Sequence, residues 1–454
     1  MPSESTTRIL FVGDMHLGRR PSGLPGDLSA RTDLGPAEAW QRVVTIAIEH
    51  QVQAVALAGD LVHQDNAAFG AYGPLENGVR RLAEAGIPVC AVAGNHDAST
   101  LPSLAENIAG FTLMGSSGTW SELRLTSESR PEVRLVGWSF PREHHLQSPF
   151  NSPLPAADSK LITLGLLHCD LGASRSKYAP VTAEEFRTSG YDGWFLGHEH
   201  IPGDPAIGGP FYLGSLTPLD PSETGSHGPV LVTIPGAGHS PTAERLPLAP
   251  VRWENLELPV PQAADPRNDL QPLLLARAIS HRREIENENP DLLALGLRIT
   301  LTGQVEDPDA WDRACRALDF DDLKVEQDHA LVFIQKVQSG LRIQRDLMDL
   351  ARGNDPAGLL ARRILVLENT GGKKTGEPVP GVSDSAKETE RLVAMARARL
   401  EEVDHRPALD RITWGDESQS EEEVRQTVQA ALAHVARRTL DRLLGQKAGD
   451  RATD

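Results

Sequence analysis

Short apolar runs that each end in a small polar cluster set the pattern of the first half of the chain. Arg8 to Gly13 ends at Asp14-Met15-His16, Ala54 to Ala58 at Gly59-Asp60-Leu61-Val62-His63, and Ile87 to Ala93 at Gly94-Asn95-His96-Asp97. Runs of this length bounded by turn residues predict buried β-strands. Between them, about Pro36 to His50 and Leu75 to Ala85 read as helices; the first opens on a proline suited to a first turn, and the second is stopped by Gly86. This alternation predicts an α/β architecture with parallel strands. From about Gly118 the pattern shifts to strands with short turns. Val133 to Trp138 is one, Leu161 to Leu167 ends at His168, and Gly193 to Leu196 ends at Gly197-His198-Glu199-His200. A helix is expected near Thr182 to Thr188, and Pro210 to Leu213 and Pro229 to Ile234 read as closing strands. Residues 8 to about 240 are therefore expected to form a sandwich with two sheets inside and helices outside.

Beyond the proline-rich stretch Pro247 to Pro266, in which Trp253 to Leu258 alternates like a strand, a small α/β unit is expected. It has helices near Leu270 to Glu286 and Pro308 to Leu318, and strands at Leu295 to Leu301 and Leu323 to Val325. From Ala330 onward the pattern predicts mostly helix. A Gly-, Lys- and Pro-rich break, Gly371 to Ser385, is expected to be mobile. Glu421 to Leu444 carries Val424, Val428, Leu432, Val435 and Leu443 at helical spacing. The expected division is a first domain over 1–245, a small α/β domain over 246–337 and a helical region over 338–454.

The 454 residues, 39% hydrophobic and 24% charged, suit a soluble protein of two or three domains. No apolar run approaches the roughly 18 residues of a membrane span. Met1 to Thr7 is polar and lacks a signal-peptide core. Cys90, Cys169 and Cys315 match no zinc-site spacing; Cys90 and Cys315 are expected as small core residues, and a cytoplasmic, reducing setting is expected. The formal net charge of −18 argues against holding nucleic acid by bulk electrostatics, although bound cations or a partner can supply local positive charge.

The candidate chemistry lies in Asp14, His16, Asp60, Asn95, His168, His198 and His200, each following an apolar run at an expected strand end. The carboxyl ends of strands are where sites assemble in open α/β sheets. Asp-x-His and His-x-His each put two side chains on the same side of an extended backbone, so both reach one ion. Taken singly, Asp14 reads equally well as a turn cap, His168 as a core histidine and Asn95 as a turn residue; together they read as a metal site. Phosphoesters resist hydroxide, and two divalent ions about 3.5–4 Å apart bind the substrate oxygens and lower the pKa of a water. Asp60 is the natural bridge. Mixed nitrogen and oxygen donors suit Mn²⁺, Fe²⁺, Zn²⁺ or Mg²⁺.

The ordered set Asp14-x-His16, Gly59-Asp60-x-x-His63, Gly94-Asn95-His96-Asp97, His168 and Gly197-His198-x-His200 resembles the calcineurin-like metallophosphoesterase superfamily, and within it the SbcD-type DNA repair nucleases. A histidine three residues after the bridging aspartate is similar to the second motif of those nucleases. The superfamily's protein phosphatases instead carry Asp-Arg-Gly where this chain has His63-Gln64-Asp65. Gly214-Ser215-Leu216 with Gly228 to Val232 resembles the end of the nuclease domain, and Arg252-Trp253-Glu254 the start of its capping domain. Val62 stands where a larger apolar residue is common, and the helical tail departs from the minimal nuclease.

The resemblance implies an α/β/β/α sandwich with a small α/β cap. It implies two divalent ions, Mn²⁺ foremost, one held by Asp14, His16, Asp60 and His200 and the other by Asp60, Asn95, His168 and His198. His96, oriented by Asp97, would stabilise developing charge or protonate the leaving oxygen, and His63 would lie near the scissile phosphate. It further implies DNA as substrate, exonuclease action with endonuclease action as a second possibility, a homodimer, and an SMC-like ATPase of the SbcC type gripped by C-terminal helices, for which Glu421 to Leu444 is the candidate, with packing onto the cap as the equal alternative. Two other functions are weighed: a small-molecule phosphodiesterase or phosphatase using the same metals, and a non-catalytic scaffold, which a complete ligand set disfavours. Other residues are given lesser roles. His144-His145 is expected in solvent, His227 in a turn, Tyr178-Ala179-Pro180 in an ordinary loop with DNA contact as the alternative, Lys373-Lys374 as a solvated pair with a phosphate-backbone contact as the alternative, and Glu199 and Cys169 as facing away from the ligands.

Overall fold

The computed structural model describes residues 6–63, 68–126, 130–158, 160–172, 175–235, 240–343, 346–369 and 379–404, and, beyond these, 425, 428–433, 435–440 and 443–444. The chain falls into two compact units. The first comprises residues 1–258, 264–301 and 313–339; the second comprises 259–263, 302–312 and 340–454.

The first unit contains the expected sandwich. One six-stranded sheet runs in the order Thr242–Arg245, Val230–Ile234, Thr7–Val12, Ala54–Leu57, Val89–Ala91, Phe111–Leu113. Its last four members are parallel, and Val230–Ile234 and Thr242–Arg245 are antiparallel additions. The five-stranded sheet runs Pro210–Tyr212, Gly193–Gly197, Ile162–His168, Val133–Trp138, Trp120–Leu125, parallel except for the last. Alternation decides the layering. Ile9, Phe11, Ala54, Ala56 and Cys90 face Leu135, Leu164, Leu166 and Phe195 between the sheets, with Phe11 stacked on Phe195 at 3.6 Å. Leu10, Val12, Val55 and Leu57 point the other way, onto Trp40, Val43, Leu75 and Val79 of the helices Pro36–Glu49 and Ala68–Glu84. On the far face of the second sheet, Trp138, Leu167 and Trp194 pack on Phe186 of the helix Ala183–Ser189. Burying such a side chain stabilises the fold by roughly 1.5–3 kcal/mol. Ala183–Ser189 begins with a full capping box between Thr182 and Glu185, an arrangement that typically contributes about 1 kcal/mol.

A third, four-stranded sheet runs Val251–Pro259, Ala294–Thr302, Ala330–Ser339, Lys324–Gln327. Ala330–Ser339 corrects the expectation of helix from Ala330 onward. It pairs in parallel with Ala294–Thr302 and antiparallel with Lys324–Gln327. The hairpin turn Asp328-His329 has φ of 50° and 65° at its two residues, the backbone of a tight hairpin that usually advertises itself by Asn-Gly or Asp-Gly. Without that signal, the run Ala330-Leu331-Val332-Phe333-Ile334 reads as easily helical. Val251, Trp253, Ala294 and Phe333 of this sheet enclose Leu28 and Leu34, so it anchors the long loop that follows His16.

In the second unit, Ala357 and Ile364 of the helix Pro356–Asn369 meet Leu440, with Leu443 and Leu444 beside them. The apolar side of 428–444 is thus largely taken up within the chain, although Val435 is 59% exposed. Residues 421–424 and the greater part of the expected mobile break, including Lys373-Lys374, lie outside the described residues. Among the described residues no helix is long and apolar enough to cross a membrane. Cys315, expected in the core, is only partly buried.

Candidate metal centre

Parallel pairing brings the polar strand ends level. Val12 pairs with Leu57 and Leu57 with Ala91 in the first sheet, and Gly197 with His168 in the second. The loops that follow are then tied together. The amides of Met15 and His16 donate to Asp60 O at 3.1 and 2.9 Å, Leu216 N donates to Asp14 O at 3.0 Å, and Ser215 N to His200 O at 2.9 Å. The two sheets are joined across the site by His198 N, which donates to both carboxylate oxygens of Asp14 at 3.1 Å.

This close approach needs glycine at several strand ends, Gly59 and Gly94 among them. A Cβ on Gly94 would lie 2.2 Å from Asp60 Oδ1, and one on Gly59, where φ is +90°, 2.8 Å from His168 Nδ1. Three of the candidate ligands themselves have positive φ: His16 at 45°, Asp60 at 51° and His198 at 104°. Strain of this kind costs on the order of 1–3 kcal/mol per residue and persists where surrounding structure over-determines it.

The donors form two overlapping groups, Asp14 with His16 and His200, and Asp14 with Asp60 and His168. Within each group the donor atoms lie within 4.8 Å of one another. His16 Nε2 is 3.0 Å from His200 Nε2 and 4.0 Å from Asp60 Oδ2. His168 Nε2 is 3.0 Å from Asn95 Oδ1 and 3.5 Å from Asp60 Oδ2, while its Nδ1 lies 3.0 Å from Ala58 O. A carbonyl only accepts, so Nδ1 carries the proton, and the lone pair of Nε2 can share a cation with Asn95 Oδ1. His198 stands with its ring 5.2 Å from that of His168. Its donor groups with Asp170 and Glu199 and falls outside the two groups around Asp14. Glu199 is exposed and lies outside the two groups around Asp14, although its carboxylate comes within 4.8 Å of a His198 nitrogen.

Electrostatics fit the donor set to divalent cations. Asp14 and Asp60 are 0% and 2% exposed. Burial pushes both carboxyls above their ordinary range, most strongly Asp14. Burial drives His16 well down, His168 to about 3 and His198 to about 4. At His200 burial also opposes charge, but Glu223, Asp14 and Asp60 outweigh it and raise the imidazole to about 9. Buried carboxylates that lack a cation take up protons, and His200 must shed one before Nε2 can act as a donor. Metal loading near neutral pH is therefore expected to release the His200 proton, with apparent affinity rising as pH approaches about 9. Calorimetry in two buffers of different ionisation enthalpy checks this; equal heats in both would contradict it.

His96 and His63 stand beside the donors. The His96 ring is 5.4 Å from His16 and 5.1 Å from His63, which is 5.6 Å from His16. The His96 amide donates to Asp60 Oδ1 at 2.9 Å. Asp97 departs from its expected role as orienter of His96. Its Oδ2 accepts from Leu61 N at 2.7 Å and its Oδ1 from Gly94 N at 2.8 Å, so it clamps the Asp60 loop to the Asn95 loop. Burial, then the neighbouring Asp60, push its carboxyl up to about 8 against those amides.

Several residues were given too small a part by sequence reasoning. Glu223 Oε1 lies 2.8 Å from His200 Nδ1. His227, expected in an ordinary turn, is buried with Nδ1 2.8 Å from Ser215 O. The Tyr178 ring is 5.0 Å from His198 and 5.6 Å from His144. His144 and His145 are half-buried rather than solvated, and the His145 ring is 5.0 Å from Trp138. Only Gly214-Ser215-Leu216 carried a local signal for any of these. Cys169 is buried among apolar residues of the second sheet, as its alternation predicts.

Residues 7–202 match the family model described as calcineurin-like phosphoesterase, a span that includes every candidate ligand. The chain is 27% identical over 269 residues to the uncharacterized metallophosphoesterase YhaO of Bacillus subtilis (strain 168), covering 56% of this chain and 64% of that protein. It is 37% identical over 93 residues to the DNA double-strand break repair protein Mre11 of Haloferax volcanii, 20% of each chain. To the protein of that name from Aeropyrum pernix it is 36% identical over 110 residues, 23% of this chain and 26% of that one. The chain thus spans less than two thirds of the length of these relatives.

Proposed function

We propose that this protein, whose residues 7–202 match the calcineurin-like phosphoesterase family model and gather candidate metal donors, is a phosphoester hydrolase with a dinuclear metal site, specifically a Mn²⁺-dependent DNA nuclease. Bound divalent cations neutralise phosphoryl oxygens and lower the pKa of a water. Asp14, His16, Asp60 and His200 would hold one ion, and Asp60, Asn95, His168 and His198 the other. His96 would donate a hydrogen bond or a proton to the leaving oxygen, and His63 would bind the scissile phosphate beside it.

The observation that carries the nuclease reading is the placement of His63 and His96 as neighbouring rings next to His16. Two imidazoles on the open side of a dinuclear centre suit a diester, which has both a phosphoryl oxygen and an alkoxide to stabilise. The local likeness to two Mre11 proteins supports DNA over a small ester. The third sheet, which anchors the loop after His16, would act as the capping element that positions DNA.

In the same reading the protein works as a homodimer in the cytoplasm, with an SMC-like ATPase of the SbcC type. Because the apolar side of 428–444 is occupied within the chain, a grip on the ATPase would engage exposed positions such as Val435.

A hydrolysis assay on linear and circular, single- and double-stranded DNA, with and without co-purified partner, tests the reading. Mn²⁺-stimulated, chelator-sensitive cleavage of linear DNA is expected. Turnover of small phosphodiesters alone would replace this reading with a small-molecule phosphodiesterase.

A further inference from the structure

The two metal-facing histidines His168 and His200 are held in unlike ways. His168 offers Nε2 to the centre because its Nδ1 meets the neutral carbonyl of Ala58 at 3.0 Å. His200 offers Nε2 because its Nδ1 meets a carboxylate, Glu223 Oε1, at 2.8 Å. We infer that Glu223 is the positioning residue for one ion of the pair, holding His200 in the orientation and tautomer that face the Asp14–His16 side and adding negative charge to that side alone.

The surroundings of Glu223 show a built arrangement. The residue is 7% exposed. The second oxygen, Oε2, accepts from Ser215 Oγ at 2.7 Å and from Leu219 N at 2.9 Å. Ser215 is in turn fixed by its amide on His200 O at 2.9 Å and by His227, whose Nδ1 lies 3.1 Å from Ser215 Oγ. The carboxylate therefore cannot rotate away from His200 without stranding a hydroxyl and an amide, each costly to leave unpaired when buried. The segment that carries Glu223 is held at both ends. Ser22 donates to Leu219 O through its amide at 2.8 Å and its hydroxyl at 2.9 Å, and Gly225 N donates to Trp253 O of the third sheet at 2.9 Å.

A carboxylate behind a ligating imidazole fixes the ring and raises its basicity, and losing such a partner typically costs about 10–100-fold in metal affinity. The effect should be one-sided. Glu223 touches His200 through its carboxylate, whereas the Asn95–His168 side takes its orientation from Ala58 O and from the second sheet.

The inference rests on the two-metal reading, and the experiment separates the two. Wild-type protein, Glu223→Gln and Glu223→Ala are stripped with chelator and titrated with Mn²⁺ by calorimetry and with Co²⁺ by absorption spectroscopy, with circular dichroism as a check on folding. Wild type should take up two equivalents. Glu223→Gln, which keeps the shape and one acceptor, should bind one equivalent about 10-fold more weakly. Glu223→Ala should approach 100-fold for that same equivalent. In both, only the Co²⁺ bands of the weakened equivalent should move. Unchanged affinities and bands in both folded variants, or equal weakening of both equivalents, would overturn the role of Glu223. A wild type that fails to bind two equivalents would overturn the two-metal reading and this inference with it.

Discussion

Asp60→Asn is expected to abolish phosphoester hydrolysis while raising the melting temperature of the metal-free protein. Asp60 is 2% exposed, with Oδ2 3.5 Å from His168 Nε2 and 4.0 Å from His16 Nε2. Asp14 is the residue common to both donor groups, but Asp60 Oδ2 also lies near a histidine of each, so its charge acts on both. Removing that charge should lower metal affinity on both sides and cut turnover by about 10³-fold or more, equivalent to about 4 kcal/mol of barrier. The gain in apo stability follows from the sign of the Asp60 shift. Burial raises its folded-state pKa above the unfolded value, so ionisation favours the unfolded chain. That penalty is absent below about pH 4, where the carboxyl is protonated in both states. It grows as pH rises through the unfolded pKa and is complete above the raised folded one. Asparagine never carries it, and its Oδ1 can still accept from His96 N. Thermal melts of apo and Mn²⁺-loaded protein from pH 4 to 8 should show the variant ahead of wild type only without metal and only toward the upper end. A variant that melts lower than wild type in both states would contradict this account.

His96→Ala and Asn95→Ala should fail in different ways although the residues are adjacent. The tie between His96 and Asp60 is made by the main-chain amide, at 2.9 Å, and alanine keeps it. The variant should therefore bind both ions normally and lose about 10²–10⁴-fold in kcat, the range for losing a general acid. Asn95 Oδ1 instead lies 3.0 Å from His168 Nε2, among the donors themselves. Asn95→Ala should weaken the ion on the His168 side, so that part of its lost activity returns at high Mn²⁺. Metal content by elemental analysis alongside kcat distinguishes the two. Loss of metal from His96→Ala would show that the imidazole is a ligand, and wild-type kcat would show that it takes no part in the chemistry.

What the chain order already determined is the layered fold and the gathering of the candidate donors at the strand ends. Apolar runs with alternating burial make strands wherever they are placed, and parallel pairing of those strands necessarily carries Asp14, Asp60, Asn95, His168 and His198 to one edge. Each of these residues lies just after an apolar run, so its place at a strand end was legible from a handful of neighbouring residues. The strand Ala330–Ser339 was not, because its conformation depends on a partner on either side and on a turn without glycine. Nor was the part played by Asp97, whose carboxylate is claimed by the amide of Leu61, 36 residues earlier, rather than by the adjacent imidazole. Glu223 reaches His200 across 23 residues of chain, from a loop with no apolar run to announce it. Tertiary structure alone decided these last contacts. A buried hydrogen bond forms with whichever group the packed sheets bring within about 3 Å, and that distance is set by the closure of the whole sandwich rather than by any local stretch of sequence.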